Sequence, residues 1–367
     1  MKKIERTQTD TLTYVASSAG IAGDVEKIGA LTRVVATVEL VPSAALGGTN
    51  QPDGIWRLLS NLRILGGSNT YFTLPGGADG HGGTLLHYLN GVDHGGMMGV
   101  SRGTILAPQR TYTPVTFVLH PGSRPRMWGR ENPFDLTAFI PAGAESQLRV
   151  EWATLANTVL DDVTLITSAV MRFNLHYVEG THSEIQQEMA RQGVQLPLTY
   201  LQDGGERPIT GMMPSWTSEV ISPTATATEY SNERNIPTGY YMKRISVLSN
   251  DDTAAPRALR AQDEVTGIRV HIDGQEVVKS FVDGWTGMLG PVSVDEVDDA
   301  ALDFGNHAGF GVHMKDLRPH GNADYGLNLR NVNNGAARLG FTITTNATGD
   351  DILILYEGYK PYYGLLG

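Results

Sequence analysis

Leu62-Arg63-Ile64-Leu65-Gly66-Gly67-Ser68-Asn69-Thr70-Tyr71 and Ile268-Arg269-Val270-His271-Ile272-Asp273-Gly274-Gln275-Glu276-Val277-Val278 are two versions of one pattern. Each runs from a short apolar–polar alternation into Gly-Gly or Asp-Gly and out into a second β-prone stretch. Those dipeptides supply the positive φ that a two-residue primed turn demands, so both segments read as β-hairpins. A helix-prone insert precedes each hairpin: Ile55-Trp56-Arg57-Leu58-Leu59 and Pro256-Arg257-Ala258-Leu259-Arg260.

Outward from the hairpins the pairing continues in the same order. Phe134–Ile140, a turn containing Gly143, and Leu148-Arg149-Val150-Glu151-Trp152 correspond to Tyr325–Val332, Gly335 and Leu339-Gly340-Phe341-Thr342-Ile343. Leu175-His176-Tyr177-Val178-Glu179-Gly180 closes the first half as Ile354-Leu355-Tyr356-Glu357-Gly358 closes the second. Phe117-Val118-Leu119-His120-Pro121 resembles Gly311-Val312-His313-Met314 more weakly. One match between short apolar strands is cheap. Four in a fixed order point to a single unit copied within the chain.

The unit is β-rich. Among 367 residues, 43 are glycine and only 18% are charged, where a soluble domain averages about 25%. Twelve short β-branched or aromatic runs are bounded by turn residues. They are Arg33–Leu40, Leu62–Leu65, Thr70–Leu74, Pro114–Leu119, Leu148–Thr154 and Val170–Val178, then Tyr241–Leu248, Gly267–Ile272, Glu276–Phe281, Leu327–Val332, Arg338–Thr344 and Ile352–Tyr356. Helix signals are few. Thr181-His182-Ser183-Glu184 is a capping-box pattern with Ile185 and Met189 on one face, stopped by Gly193 and Pro197. Ser293-Val294-Asp295-Glu296 opens a second, acidic stretch, and Thr84–Asn90 before Gly91 is its counterpart in the first half. Residues 195–238 carry scattered prolines and a Thr/Ala run, the composition of a long surface connection. The expected fold class is all-β: two tandem eight-stranded jelly-roll β-sandwiches with a few short helices. The expected division is a first jelly roll at 1–180, a short helix and crossing connection at 181–238, and a second jelly roll at 239–367.

Composition excludes several classes. With 41% hydrophobic residues the chain can bury a core, so global disorder is not expected. No apolar run reaches about 18 residues, so no membrane-spanning helix is expected, and the first residues lack the apolar core of a secretory signal. The absence of cysteine excludes disulfides, thiolate metal sites and cysteine nucleophiles. A net charge of −11 argues against direct nucleic-acid binding, which needs clustered Lys and Arg.

Chemistry-bearing motifs are weak. Gly99-Val100-Ser101-Arg102-Gly103 matches a nucleophile elbow, but glycines precede it and Pro108 follows where the motif needs a strand and a helix. His81, His87, Asp93 and His94 offer imidazoles and a carboxylate for zinc or iron, without the close His-x-His pair a cupin would use. Asp295, Glu296, Asp298, Asp299 and Asp303 offer oxygens for calcium but lack the glycine and terminal glutamate of an EF-hand loop; a solvated helix face is preferred. Asp161-Asp162 and Asp350-Asp351 read as turn residues, and Asn346-Ala347-Thr348 as a turn rather than a glycan acceptor. Trp56, Trp152, Trp216 and Trp285 are dispersed, as core and interface anchors would be. No catalytic, cofactor-binding or metal-ligating residue is assigned, no cofactor is implied, and no enzyme activity is expected.

A duplicated all-β unit, joined by a short helix and a crossing segment, resembles the double-jelly-roll major capsid proteins of tailless icosahedral viruses, the lineage of adenovirus and membrane-containing bacteriophages. The resemblance covers nearly the whole chain through architecture and repeat order. It implies a structural protein of the virion, made in the host cytoplasm, whose homotrimers present six similar sandwiches and tile a hexagonal lattice. It also implies contacts with neighbouring capsomers and with minor capsid and vertex proteins. In members with an internal membrane the shell need not neutralise DNA, and Lys2, Lys3 and Arg6 would face that membrane unless the terminus is simply disordered. Two other readings stay open: a glycan-binding or glycan-cleaving pair of sandwiches, as in a phage spike, and a bicupin metalloenzyme built on the His81–His94 cluster.

Overall fold

The computed structural model describes residues 1–8, 11–15, 20–42, 61–74, 82–83, 85–86, 89, 115–124, 126–127, 130–153, 166–197, 208–221, 234–251, 259–260, 265–273, 275–281, 312–317, 325–330, 332–343 and 352–365. The strands of the first half are β1 (Lys2–Thr7), β2 (Leu12–Thr13), β3 (Ile21–Asp24), β4 (Ala30–Pro42), β5 (Leu62–Gly66), β6 (Thr70–Thr73), β7 (Val115–Leu119), β8 (Arg126–Met127), β9 (Arg130–Glu131), β10 (Leu148–Trp152) and β11 (Ile166–Glu179). Helix α1 (His182–Arg191) follows. Then come β12 (Gly211–Ile221), β13 (Arg234–Asn235), β14 (Tyr241–Asp251), β15 (Leu259–Arg260), β16 (Val265–Ile272), β17 (Gln275–Phe281), β18 (Val312–Asp316), β19 (Leu327–Asn328), β20 (Ala337–Ile343) and β21 (Ile352–Tyr362).

Strand order makes the duplication explicit. In the first half one sheet runs β1-β11-β4-β7, with β2 also on β11, and the facing sheet runs β3-β10-β5-β6. In the second half β12-β21-β14 forms one sheet, with β15, β18 and β19 all on β14, and β13-β20-β16-β17 forms the other. Taking β1, β3, β4, β5, β6, β7, β10 and β11 as equivalents of β12, β13, β14, β16, β17, β18, β20 and β21, every pairing among these eight strands of one half recurs in the other. The pairs are antiparallel throughout. Two eight-stranded jelly rolls result. β10 shows why these sequences form such strands: Leu148, Val150 and Trp152 are buried while Arg149 and Glu151 point outward.

All twelve expected strands are present, at least in part. The expected helix also forms: Thr181 Oγ1 accepts the Glu184 N–H, and the Glu184 carboxylate accepts the Thr181 N–H at 2.8 Å. Leu85, Leu86 and Leu89 are helical and buried, as the Thr84–Asn90 pattern predicts. The acidic stretch from Ser293 and the insert Ile55–Leu59 lie outside the described residues.

Three expectations need correction. The second hairpin forms as read, with Ile272 paired to Gln275 and Asp273 at φ 49°. The first hairpin turns one residue later than read, at Gly67-Ser68, with the Gly66 N–H donating to the Asn69 carbonyl. Its glycines provide close approach rather than positive φ: a Cβ on Gly66 would lie 2.6 Å from the Glu145 carboxyl, and one on Gly67 2.3 Å from Ser146 Oγ. Glu145 fills that space, accepting from the Gly67 N–H, the Asn69 amide and the Tyr71 hydroxyl. Secondly, Leu259 and Arg260, read as helix-prone, form β15, because Asp251 and Asn250 of β14 offer a ladder to pair with. Thirdly, the N-terminal residues are neither disordered nor loose: Lys2–Thr7 is a sheet strand on β11.

Candidate assembly surfaces

β21 is buried on both faces. Ile352, Ile354 and Tyr356 enter the core of the second sandwich, while Leu353 and Leu355 join the core cluster of the first. From the neighbouring strands, Trp216, Leu248 and Met314 project to the same side. The outer face of the β12-β21-β14 sheet is thus an apolar plate laid against the first sandwich. It covers the side where β6 and β7, the edge strands of the two first-half sheets, would otherwise leave the sandwich open. Trp216 is the plug: its ring lies 4.6 Å from that of Phe72, centroid to centroid. With Pro214 it closes a small apolar gap lined by Val34, Ile64, Leu119 and Ile140.

Several charged and hydroxyl groups in this seam are paired. Glu357, fully buried, receives Arg244 through two bonds of 2.6 and 2.7 Å, with Lys243 Nζ at 3.7 Å. Such a fork inside protein requires excellent geometry, because each desolvated charge costs several kcal/mol. Two tyrosine hydroxyls of the second sandwich donate to first-half carbonyls: Tyr325 to Thr137 at 2.6 Å and Tyr359 to Gly122 at 3.5 Å. The segment that presents those carbonyls is held by Asp135. Its carboxylate accepts the N–H groups of Arg124 and Thr137 and the Thr137 hydroxyl. Burial nonetheless pushes the Asp135 carboxyl up to about 6, since desolvation outweighs those bonds. Gly211 opens β12 against Phe139, where a Cβ would meet the ring at 2.5 Å.

The equivalent face of the first sandwich differs in chemistry. On β11, Ala169, Met171, Phe173, Leu175 and Tyr177 face the core. The alternate residues carry Arg172 bound to Glu39 at 3.0 Å, and Asn174 bound to Glu5. Thr37 and Thr116 share a 3.3 Å hydrogen bond beside them. Among the described residues, one end of this face is covered. There Ile185 and Met189 of α1 pack on Val178, Leu136 and Phe139, and the Phe134 ring meets His176 edge-on.

The basic N-terminal residues are engaged by carboxylates. Lys3 Nζ is 3.0 Å from Glu188, Lys2 3.7 Å from Glu179, and Arg6 3.7 Å from Glu26. The Met1 ammonium lies 2.6 Å from Glu184 and, with the Thr181 N–H and hydroxyl, holds that carboxyl down to about 2. These cations are therefore partly neutralised by the fold.

Of the motifs singled out in the sequence, Ser101, His81, His87, Asp93, His94, Asp161, Asp162, Asn346, Asp350, Asp351, Trp56, Trp285 and the Asp295–Asp303 carboxylates lie outside the described residues. No group of three or more His, Asp and Glu suited to a metal occurs among the described residues. Trp152 and Trp216 are a core and an interface anchor, as expected, and neither is exposed as a sugar platform. The seam itself was missed by the motif search. Its signal was available: Ile352-Leu353-Ile354-Leu355-Tyr356 is continuously apolar, the mark of a strand covered on both faces, whereas Met171-Arg172-Phe173-Asn174-Leu175 alternates.

No family model matches the sequence, and no curated protein does either. Solved structures do match in shape. The crystal structure of the STIV MCP superposes with a TM-score of 0.63 at 14% identity, covering 99% of this chain and 98% of that one. The major capsid protein of Bacteriophage PM2 gives 0.50 at 12%, covering 99% and 100%, and the PBCV-1 virus capsid gives 0.52 at 10%, covering 98% and 93%. Strand order, repeat and end-to-end superposition agree, and the chain has the double-jelly-roll fold.

Proposed function

We propose that this chain is a viral major capsid protein whose homotrimers tile an icosahedral shell. One observation carries the reading: two jelly rolls of matching strand order are fused and packed together in one chain, over the full length of capsid proteins of the same shape. Three such chains arranged around an axis place six similar sandwiches in a ring, so three-fold symmetry imitates six-fold and fits a hexagonal lattice. The domain division belongs to this proposal: a first jelly roll at 1–180, a helix and connection at 181–238 that lends β12 and β13 to its neighbour, and a second jelly roll at 239–367. The role is structural, in the virion, after synthesis in host cytoplasm. Its partners are other copies, then minor capsid and vertex proteins and an internal membrane; the net charge of −11 speaks against direct contact with the genome.

The test is mass and shape in solution. Sedimentation of the purified chain should give three times 39.7 kDa, and negative-stain images should show hexagonal outlines that grow into sheets or shells. A chain that stays monomeric at every concentration and forms no lattice would overturn the proposal.

A further inference from the structure

Hydrogen bonds join the two sandwiches as well as the apolar plate, and they converge on one region of the first half. Tyr325 donates to the Thr137 carbonyl at 2.6 Å, Tyr359 to the Gly122 carbonyl at 3.5 Å, and the Phe139 N–H to the Met212 carbonyl at 3.0 Å. Ala138, between two of these anchor points, packs with Met212, Tyr241, Tyr325 and Tyr359. One carboxyl organises the region. Asp135 is wholly buried and accepts the N–H of Arg124 and both the N–H and the hydroxyl of Thr137. Gly122 approaches Asp135 Oδ2 so closely that a side chain there has no room. Asp135 thus ties together the two stretches of chain that the second sandwich grips.

We propose that the Asp135 carboxyl is an acid-operated latch between the two sandwiches, and that the seam closes more firmly as this group gains a proton. With the seam closed Asp135 is cut off from water, and burial pushes its carboxyl up to about 6. With the seam open, water reaches the region and the ordinary carboxylate value of about 4 returns. A group that holds its proton more tightly in the closed state favours that state as the proton is added. The seam is therefore weakest at neutral pH and firms as pH falls from 7 toward 4. The 2.6 Å contact of Thr137 Oγ1 with Asp135 Oδ2 serves both forms: the hydroxyl donates to the carboxylate, or the carboxyl donates to the hydroxyl. Among the described residues, Arg124 supplies the charge that acts on Asp135, favouring the ionised form without outweighing burial. His120, beside Gly122, uses both ring nitrogens when neutral: Nδ1 accepts the Gly122 N–H and Nε2 donates to the Asn132 carbonyl, each at 3.1 Å. A proton added at Nδ1 would confront that N–H. From α1 comes Gln192, which accepts the Leu136 N–H and donates to Glu188, itself paired with Lys3 and Arg191. The second sandwich brings Tyr325 and Tyr359 and, two residues before Tyr359, Glu357 with Arg244 and Lys243.

Hydrogen exchange of the full chain at pH 7 and pH 5, corrected for intrinsic rates, tests this at the Phe139 amide, whose bond to Met212 crosses the seam. Protection in the wild type should rise about tenfold from pH 7 to pH 5, the change supplied by a carboxyl that titrates near 6 when covered and near 4 when open. Asp135→Asn cannot take up the proton and should show no rise. His120→Gln and Glu188→Gln should keep the rise, which excludes those groups as the sensor even where Asp135→Asn fails to fold. Level or falling protection in the wild type, an undiminished rise in Asp135→Asn, or loss of the rise in His120→Gln or Glu188→Gln would overturn the proposal. None of these measurements depends on trimer formation, so the capsid reading stands or falls separately.

Discussion

Two sheets of the same strand order meet opposite surroundings in this molecule. The β12-β21-β14 sheet is covered on both faces, its ion pair of Arg244 and Glu357 buried, and seals the first sandwich, whereas the β1-β11-β4-β7 sheet is apolar inside and carries an exposed ion pair outside. Duplication copied a backbone, and the side chains on one face then diverged according to what covers them. Fold and surface chemistry are therefore separable: the ladders and inward residues specify the jelly roll, and the outward residues specify the neighbour.

Substitutions can break or sharpen that contrast. The largest loss is expected at Glu357→Ala, which strands two buried cations and should cost about 3–5 kcal/mol in urea unfolding. Trp216→Ala should cost a similar 3–5 kcal/mol and leave the first sandwich unplugged, read as weakened protection of Phe72 and Ile64 amides in hydrogen exchange. The next effect depends on pH. Asp135 binds its proton near 6 when folded and near the ordinary carboxylate value when unfolded. The folded chain is thus the better proton acceptor between those values, and acidification from pH 7 through 6 toward 4 should add up to about 3 kcal/mol from this group. Asp135→Asn should flatten that component when urea midpoints are compared across the same range. Tyr325→Phe leaves the buried Thr137 carbonyl without its donor and should cost about 1–2 kcal/mol. Smallest of all, Arg172→Ala on the open face should change monomer stability by less than about 1 kcal/mol, because its pair with Glu39 is solvent-exposed. If Arg172→Ala proved as damaging as Glu357→Ala, the contrast between the two faces would collapse.

Much of the fold could be read from the chain because its signals are local. The Asp273-Gly274 turn, the Thr181–Glu184 capping box and the alternation in Leu148–Trp152 each lie within a few residues. Repeat order then linked the local signals into two equal units. The Gly66-Gly67 reading was right about a hairpin and wrong about its turn, since the glycines answer to Glu145 and Ser146, far along the chain. The seam was hidden for the same reason: Tyr325 on Thr137 and Trp216 on Phe72 join distant residues, and no local pattern announces a partner. Leu353 and Leu355 were the exception, because an unbroken apolar strand already states that both its sides are covered.

The position of Trp216 on β12 has a consequence for how the chain is made. β12 is the first strand of the second sandwich to leave the ribosome, yet its tryptophan completes the preceding one. The first sandwich can therefore be stoppered before its sibling exists, and the stopper then stands as a post on which β21, which follows the other strands of that sandwich in chain order, zips into place.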